Sequence, residues 1–121
     1  MNPKAEELKA RTKRFALAAL AFRRTLPNTD DARDIGRQLV RAATAVAANY
    51  RTTCRSRSDP EFVARIGIAL EEADESSFWL EIIIEDRIST GKAVLTLLDE
   101  AKQLTAILAA SRITVSKRLS G

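Results

Sequence analysis

Apolar side chains in this chain recur three and four positions apart, over runs too long to be β-strands. The first run is Leu8, Thr12, Phe15, Ala19, Phe22 and Leu26, with Leu17 and Leu20 widening it. Such spacing puts side chains on one face of an α-helix, whereas a strand would alternate every second residue. A second run is Ile35, Leu39, Ala42 or Ala43, Val46 and Tyr50. A third is Phe62, Ile66, Ala69 or Leu70, Ala73, Leu80 and Ile83 or Ile84, and a fourth is Val94, Leu97 or Leu98, Ala101, Leu104, Leu108, Ser111 and Val115. No segment alternates with strand periodicity, and only four Gly and three Pro interrupt the 121 residues. Gly and Pro are the chief helix breakers, so long helices are favoured.

Local signals bound the four helices at about 3–26, 31–55, 59–88 and 92–117. Asn2 caps the first and Pro3 suits its opening turn. Leu26-Pro27 ends it, because the residue before proline resists helical geometry. Asp30 or Asp31 starts the second, with acidic groups near the positive end of the helix dipole. Ser58-Asp59-Pro60-Glu61 is a capping box and the clearest start signal in the chain. Ser89-Thr90-Gly91 makes the last turn. All three links are short, which makes neighbouring helices antiparallel. The expected fold is a single all-α domain, an up-down-up-down four-helix bundle over residues 1–121.

Several function classes lack their chemistry. With no histidine, His-based triads, His metal sites and His proton shuttles are out. Glu71, Glu72, Asp74 and Glu75 are the densest acidic cluster, but a di-metal bundle site also needs Glu-x-x-His pairs. Neither a metal nor a cofactor is expected. Cys54, the one cysteine, lies near Arg51 and Arg55 but has no visible base, which a nucleophile requires. There is no phosphate loop, zinc spacing or nucleophile elbow, so a non-enzyme is expected. A single cysteine fits a reducing compartment. The charged N-terminal stretch lacks a signal-peptide apolar core, and no segment is long enough to span a bilayer. The expected location is the cytoplasm, away from membranes.

Charge is unevenly spread. Net charge is +5 over residues 1–29, +3 over 30–58, −7 over 59–91 and +3 over 92–121. In an antiparallel bundle the start of the first helix and the second loop share one end. That gathers Lys4, Lys9, Arg11, Arg51, Arg55 and Arg57 at one pole. Guanidinium groups offer paired donors to phosphate, so Lys9, Arg11, Lys13, Arg14, Arg51, Arg55 and Arg57 are the candidate nucleic-acid contacts. Charges that pair within or between subunits are the competing reading, with the chain as a protein-interaction scaffold.

Two further expectations concern the third helix. Glu71 and Glu75 lie near its apolar seam and Arg41 lies near that of the second, so Arg41 is expected to pair with Glu71 or Glu75, with Asn49 capping the same polar layer. A buried charge needs such a partner. The stretch from Phe78 to Ile84 is apolar nearly all round, which a helix buried on one side does not need. Phe78, Trp79, Ile82 and Ile83 are therefore expected to contact another subunit.

The segments LKARTKRFA (8–16), QLVRAATAVAANYR (38–51) and RSDPEFVARIGIALEEADESSFWLEIII (57–84), with the Leu26-Pro27 turn, resemble the four-helix bundle proteins encoded in intervening sequences of 23S ribosomal RNA genes. The resemblance spans essentially the whole chain. That family includes relatives of the accessory variability determinant of diversity-generating retroelements. The resemblance implies a homopentameric ring, RNA or DNA binding through a basic surface, and a reverse transcriptase as a possible partner. Position by position it carries over to Gln38, Leu39, Arg41, Asn49, Tyr50, Glu72, Glu75, Trp79 and Leu80, in structural roles. Thr52-Thr53 stands where relatives often carry an acidic residue, which makes this pole more basic.

Overall fold

The computed structural model describes residues 2–120 and contains, among them, four helices and no strand. They are α1 (Pro3–Arg23), α2 (Asp30–Thr53), α3 (Asp59–Glu85) and α4 (Lys92–Ser120). Each packs on its neighbours in sequence and α4 returns to α1, which closes an antiparallel bundle.

The starts follow the sequence signals. Asn2 accepts a hydrogen bond from the Lys4 amide at 2.9 Å, Thr29 from Ala32 at 3.2 Å and Ser58 from Glu61 at 3.2 Å. Each satisfies one amide that the helix itself leaves unpaired. Glu61 completes the capping box one residue early: it accepts from the Arg57 amide, 3.3 Å away, instead of the Ser58 amide.

The ends differ from expectation. α1 stops at Arg23, three residues short of Leu26: the amides of Thr25 and Leu26 return to the carbonyls of Phe22 and Arg23, only three residues back, so the chain tightens into a turn ahead of Pro27. α2 stops at Thr53, short of residue 55. α3 stops at Glu85, not at Ile88: Arg87 adopts a left-handed φ of 58°, and the amides of Ile88 and Arg87 return to the carbonyls of Ile83 and Ile84. This is a Schellman ending, so the chain reverses at Arg87 before it reaches Gly91. α4 runs on to Ser120, past the expected residue 117.

The core is the predicted set of seams. Phe15, Ala19 and Phe22 of α1 meet Leu39, Ala43 and Val46 of α2, Ile66, Ala73 and Leu80 of α3, and Val94, Leu104 and Leu108 of α4. Burying each large aliphatic side chain contributes roughly 1.5–3 kcal/mol. Small residues at Ala42, Ala43, Ala69, Ala73 and Ala101 are fully buried and let the helix axes approach closely. Leu17 departs from expectation: at 57% exposure it lies outside the seam. The interfaces of α3 with α2 and with α4 are extensive, while α1 touches α4 only lightly. No helix is long and apolar enough to cross a membrane.

Candidate nucleic-acid interface

Antiparallel packing brings three segments to one pole. Asn2, which caps α1, and Ala5 of α1 line a hollow with Cys54, Ser56 and Arg57 of the second loop and Asp59 at the start of α3. The end of α4 joins them, where Arg118 makes two hydrogen bonds of 3.2 Å to the Asp59 carboxylate. Lys4, Arg51, Arg55, Arg57 and Lys117 are exposed at this end. Arg57 has a loose partner in Glu61 at 3.7 Å, and Glu61 is held more closely by Arg65 at 2.9 Å. Among the described residues, Lys4, Arg51, Arg55 and Lys117 have no carboxylate within ion-pair distance. Lys117 did not figure among the predicted contacts. The antiparallel argument that placed the second loop beside the start of α1 also places the end of α4 there.

The seven predicted contacts separate into groups. Arg51, Arg55 and Arg57 lie at the pole. Lys13 and Arg14 are exposed but sit on the flank of α1, about 15 Å up the helix from Lys4 at ~1.5 Å per residue. Lys9 pairs with Glu6 at 3.2 Å. Arg11 is committed to the fold. Its guanidinium donates to both Glu100 oxygens at 2.7 and 2.8 Å and to Gln103 at 2.8 Å, bridging α1 to α4. The Glu100 hydrogen bond holds the Arg11 cation even more firmly charged than usual, against a smaller opposing effect of burial.

The polar network also changes membership. Arg41 donates to Glu75 and, at 3.5 Å, to Glu72. Glu71 is exposed and takes no part, because it points one step further round the helix. Asn49 is not in the layer: its amide returns to the Ala45 carbonyl of its own helix at 2.8 Å. The site is a surface one, with Arg41 half exposed, so it contributes little to stability. Burial, reinforced by neighbouring Glu75, pushes the Glu72 carboxyl above its usual range despite Arg41. On α2, burial pushes the Tyr50 hydroxyl well above its usual range, with neighbouring Cys54 adding to the effect.

Of the four expected interface residues, Ile83 belongs to the core of its own bundle and is fully buried. Phe78 is half exposed and stands edge-on to Trp79, with ring centroids 5.0 Å apart. The Trp79 indole nitrogen is buried without an acceptor among the described residues. Ile82 is part-buried. Ile68, half exposed, was missed. It borders the same hollow as Phe78, among Glu71, Glu72, Asp74 and Glu75. Among the described residues no three Cys, Asp or Glu side chains are grouped to hold a metal.

The architecture is that of a four-helix bundle with a basic pole and an acidic, partly apolar flank. The chain belongs to the 23S rRNA-intervening sequence protein family, whose pattern matches residues 6–110. The fold is similar to that of a crystallised protein of unknown function from the S23 ribosomal protein family of Bacteroides thetaiotaomicron VPI-5482. That likeness has a TM-score of 0.80 at 24% identity and covers 87% of this chain and 97% of the other. No curated protein matches the sequence.

Proposed function

We propose that this protein is a non-catalytic, self-associating bundle that binds the backbone of RNA or DNA through its basic pole, in the cytoplasm. The observation that carries the reading is the meeting of Lys4, Arg51, Arg55 and Lys117 from three separate segments, with no carboxylate in ion-pair range of them among the described residues. Cations left free of internal partners are the ones that can exchange condensed counterions for phosphate. The formal net charge of +4 adds long-range attraction. Family membership and the apolar outcrop at Phe78 support self-association, and the resemblance to ring-forming relatives sets the expected number at five.

Fluorescence anisotropy with a structured RNA at low salt tests the nucleic-acid reading. Binding should weaken steeply and log-linearly as salt rises. Absence of binding at low salt ends it. The second reading is a protein-interaction scaffold, favoured by half-exposed Leu17, Ile68, Phe78, Leu95, Ile113 and Leu119. Partners captured equally well before and after nuclease treatment would support that reading instead.

A further inference from the structure

One surface feature starts at the pole and runs back along α2. On α2, Arg33, Arg37, Arg41, Arg51 and, just past its end, Arg55 follow one another at intervals of four, four, ten and four residues. At 3.6 residues per turn these positions fall within an arc of about 80°. All five are exposed. They form two groups, Arg33-Arg37-Arg41 and Arg51-Arg55, separated by about 15 Å at ~1.5 Å per residue. The outward positions in the gap are Thr44 and Ala48, which leave the helix surface low.

We propose that this outer face of α2 is a track for the phosphates of a DNA duplex, with the two arginine groups meeting the backbone on either side of its major groove. The proposal rests on the nucleic-acid reading above and extends it from the pole along the length of α2. Three observations select this occupant. The half-exposed large apolar residues lie on α1, α3 and α4 and none lies on α2. An interface with a second copy is depleted of charge at its centre and needs apolar surface there, so this face suits an ionic partner. The arginine fork matches phosphate, and the ~15 Å gap is of the order of the major groove of B-form DNA, about 12 Å wide. The aromatic side chain of α2, Tyr50, is buried, so no ring is offered for the base stacking that single strands use.

The ion pairs along the track set its strength. Arg41 is held by Glu75 and Glu72 of α3 and is the least available of the five, while Arg33 and Arg37 are each met by an aspartate one turn away, Asp30 and Asp34, on exposed ground. Exposed pairs of this kind are weak, so phosphate can compete for both guanidinium groups. Arg51 and Arg55 have no such competitor within ion-pair reach among the described residues. The track is therefore strongest near the pole and weakens towards the start of α2.

The test compares salt dependence for a short blunt-ended duplex and for one of its strands, using anisotropy on the full chain. The variants are Arg51→Gln with Arg55→Gln, Arg33→Gln with Arg37→Gln, and, as an equal change of charge elsewhere, Lys92→Gln with Lys102→Gln on α4. Circular dichroism confirms that each is folded. The expected result is tighter binding of the duplex than of the strand. The slope of log affinity against log salt should fall by about 2 for the first pair and about 1 for the second, at roughly one unit per lost phosphate contact, and stay unchanged for the third. A wild-type protein that binds the duplex while Arg33→Gln with Arg37→Gln keeps its full slope would leave the polar reading standing and overturn the track. Preference for the single strand would also overturn it. A wild type that binds neither probe removes the polar reading and the track together.

Discussion

At the scale of single residues, Arg11, Lys13 and Arg14 lie within four positions of each other and carry the same charge, yet they do different things. Arg11 points across to α4, where two Glu100 oxygens and Gln103 fit its fork. Lys13 and Arg14, turned further round the helix, face solvent. Tyr50 is the chain's one tyrosine, so its ionisation can be followed alone. Burial holds its folded pKa above the ordinary value. A raised pKa means that the neutral form is favoured by folding. The resulting stability is intact below the ordinary tyrosine pKa of about 10 and is lost as pH rises towards the folded value. In an alkaline titration the tyrosinate absorbance should therefore appear together with loss of the helical signal. A reversible rise centred near pH 10 with helicity intact would show that Tyr50 is not sealed as described.

At the scale of elements, two backbone positions run against helix propensity in opposite ways. Gly67 lies inside α3, where the nearest neighbour of an added methyl group would be the Arg112 guanidinium, at 3.5 Å, an ordinary contact. Gly67→Ala should stabilise the fold by up to about 1 kcal/mol. Arg87 has a left-handed φ that suits glycine, so Arg87→Gly should also stabilise, by about 1 kcal/mol. Gly36 is the contrasting case. A methyl there would come within 3.1 Å of Leu26 and 3.2 Å of Arg23, because α2 passes close under the first turn. Gly36→Ala should gain less than Gly67→Ala. Urea denaturation of the three variants gives the order, and a destabilising Gly67→Ala would contradict the packing described around α3.

At the scale of the whole molecule, the bundle is tight on three sides and loose on the fourth. The light α1–α4 seam is crossed by the Arg11–Glu100–Gln103 bridge, with hollows along the seam on either side of it. Glu100→Gln removes the ionic half of that bridge from a half-buried site. It should cost about 1 kcal/mol and speed amide exchange in α1 and α4 more than in α2 and α3. Equal acceleration in all four helices would show that the seam is not the weak side. The apolar outcrop on α3 makes a separate prediction. Light scattering should give a mass several times the 13.3 kDa of one chain. Phe78→Glu should return it to the monomer without unfolding, since Phe78 is half exposed in the single bundle. A monomeric wild type would remove the case for self-association.

The chain alone determined the number of helices, their starts and their buried seams. These follow from apolar spacing and capping side chains, which act over a turn or two. Helix ends were less legible, because the tightened backbone turn at Thr25 and Leu26 and the left-handed backbone at Arg87 decided them in ways that propensity does not encode. The candidate site was legible only in part. Charge counting found the arginines of the second loop, but which cations stay free depends on what lies opposite on another helix. Glu100 is eighty-nine residues from Arg11 in sequence and within hydrogen-bonding distance of it in space. Ile83 and Phe78, five residues apart in one apolar run, were told apart only by packing, which turns one into the core and the other outward. Spacing along the chain fixes which residues share a face; only the assembled bundle fixes what that face meets.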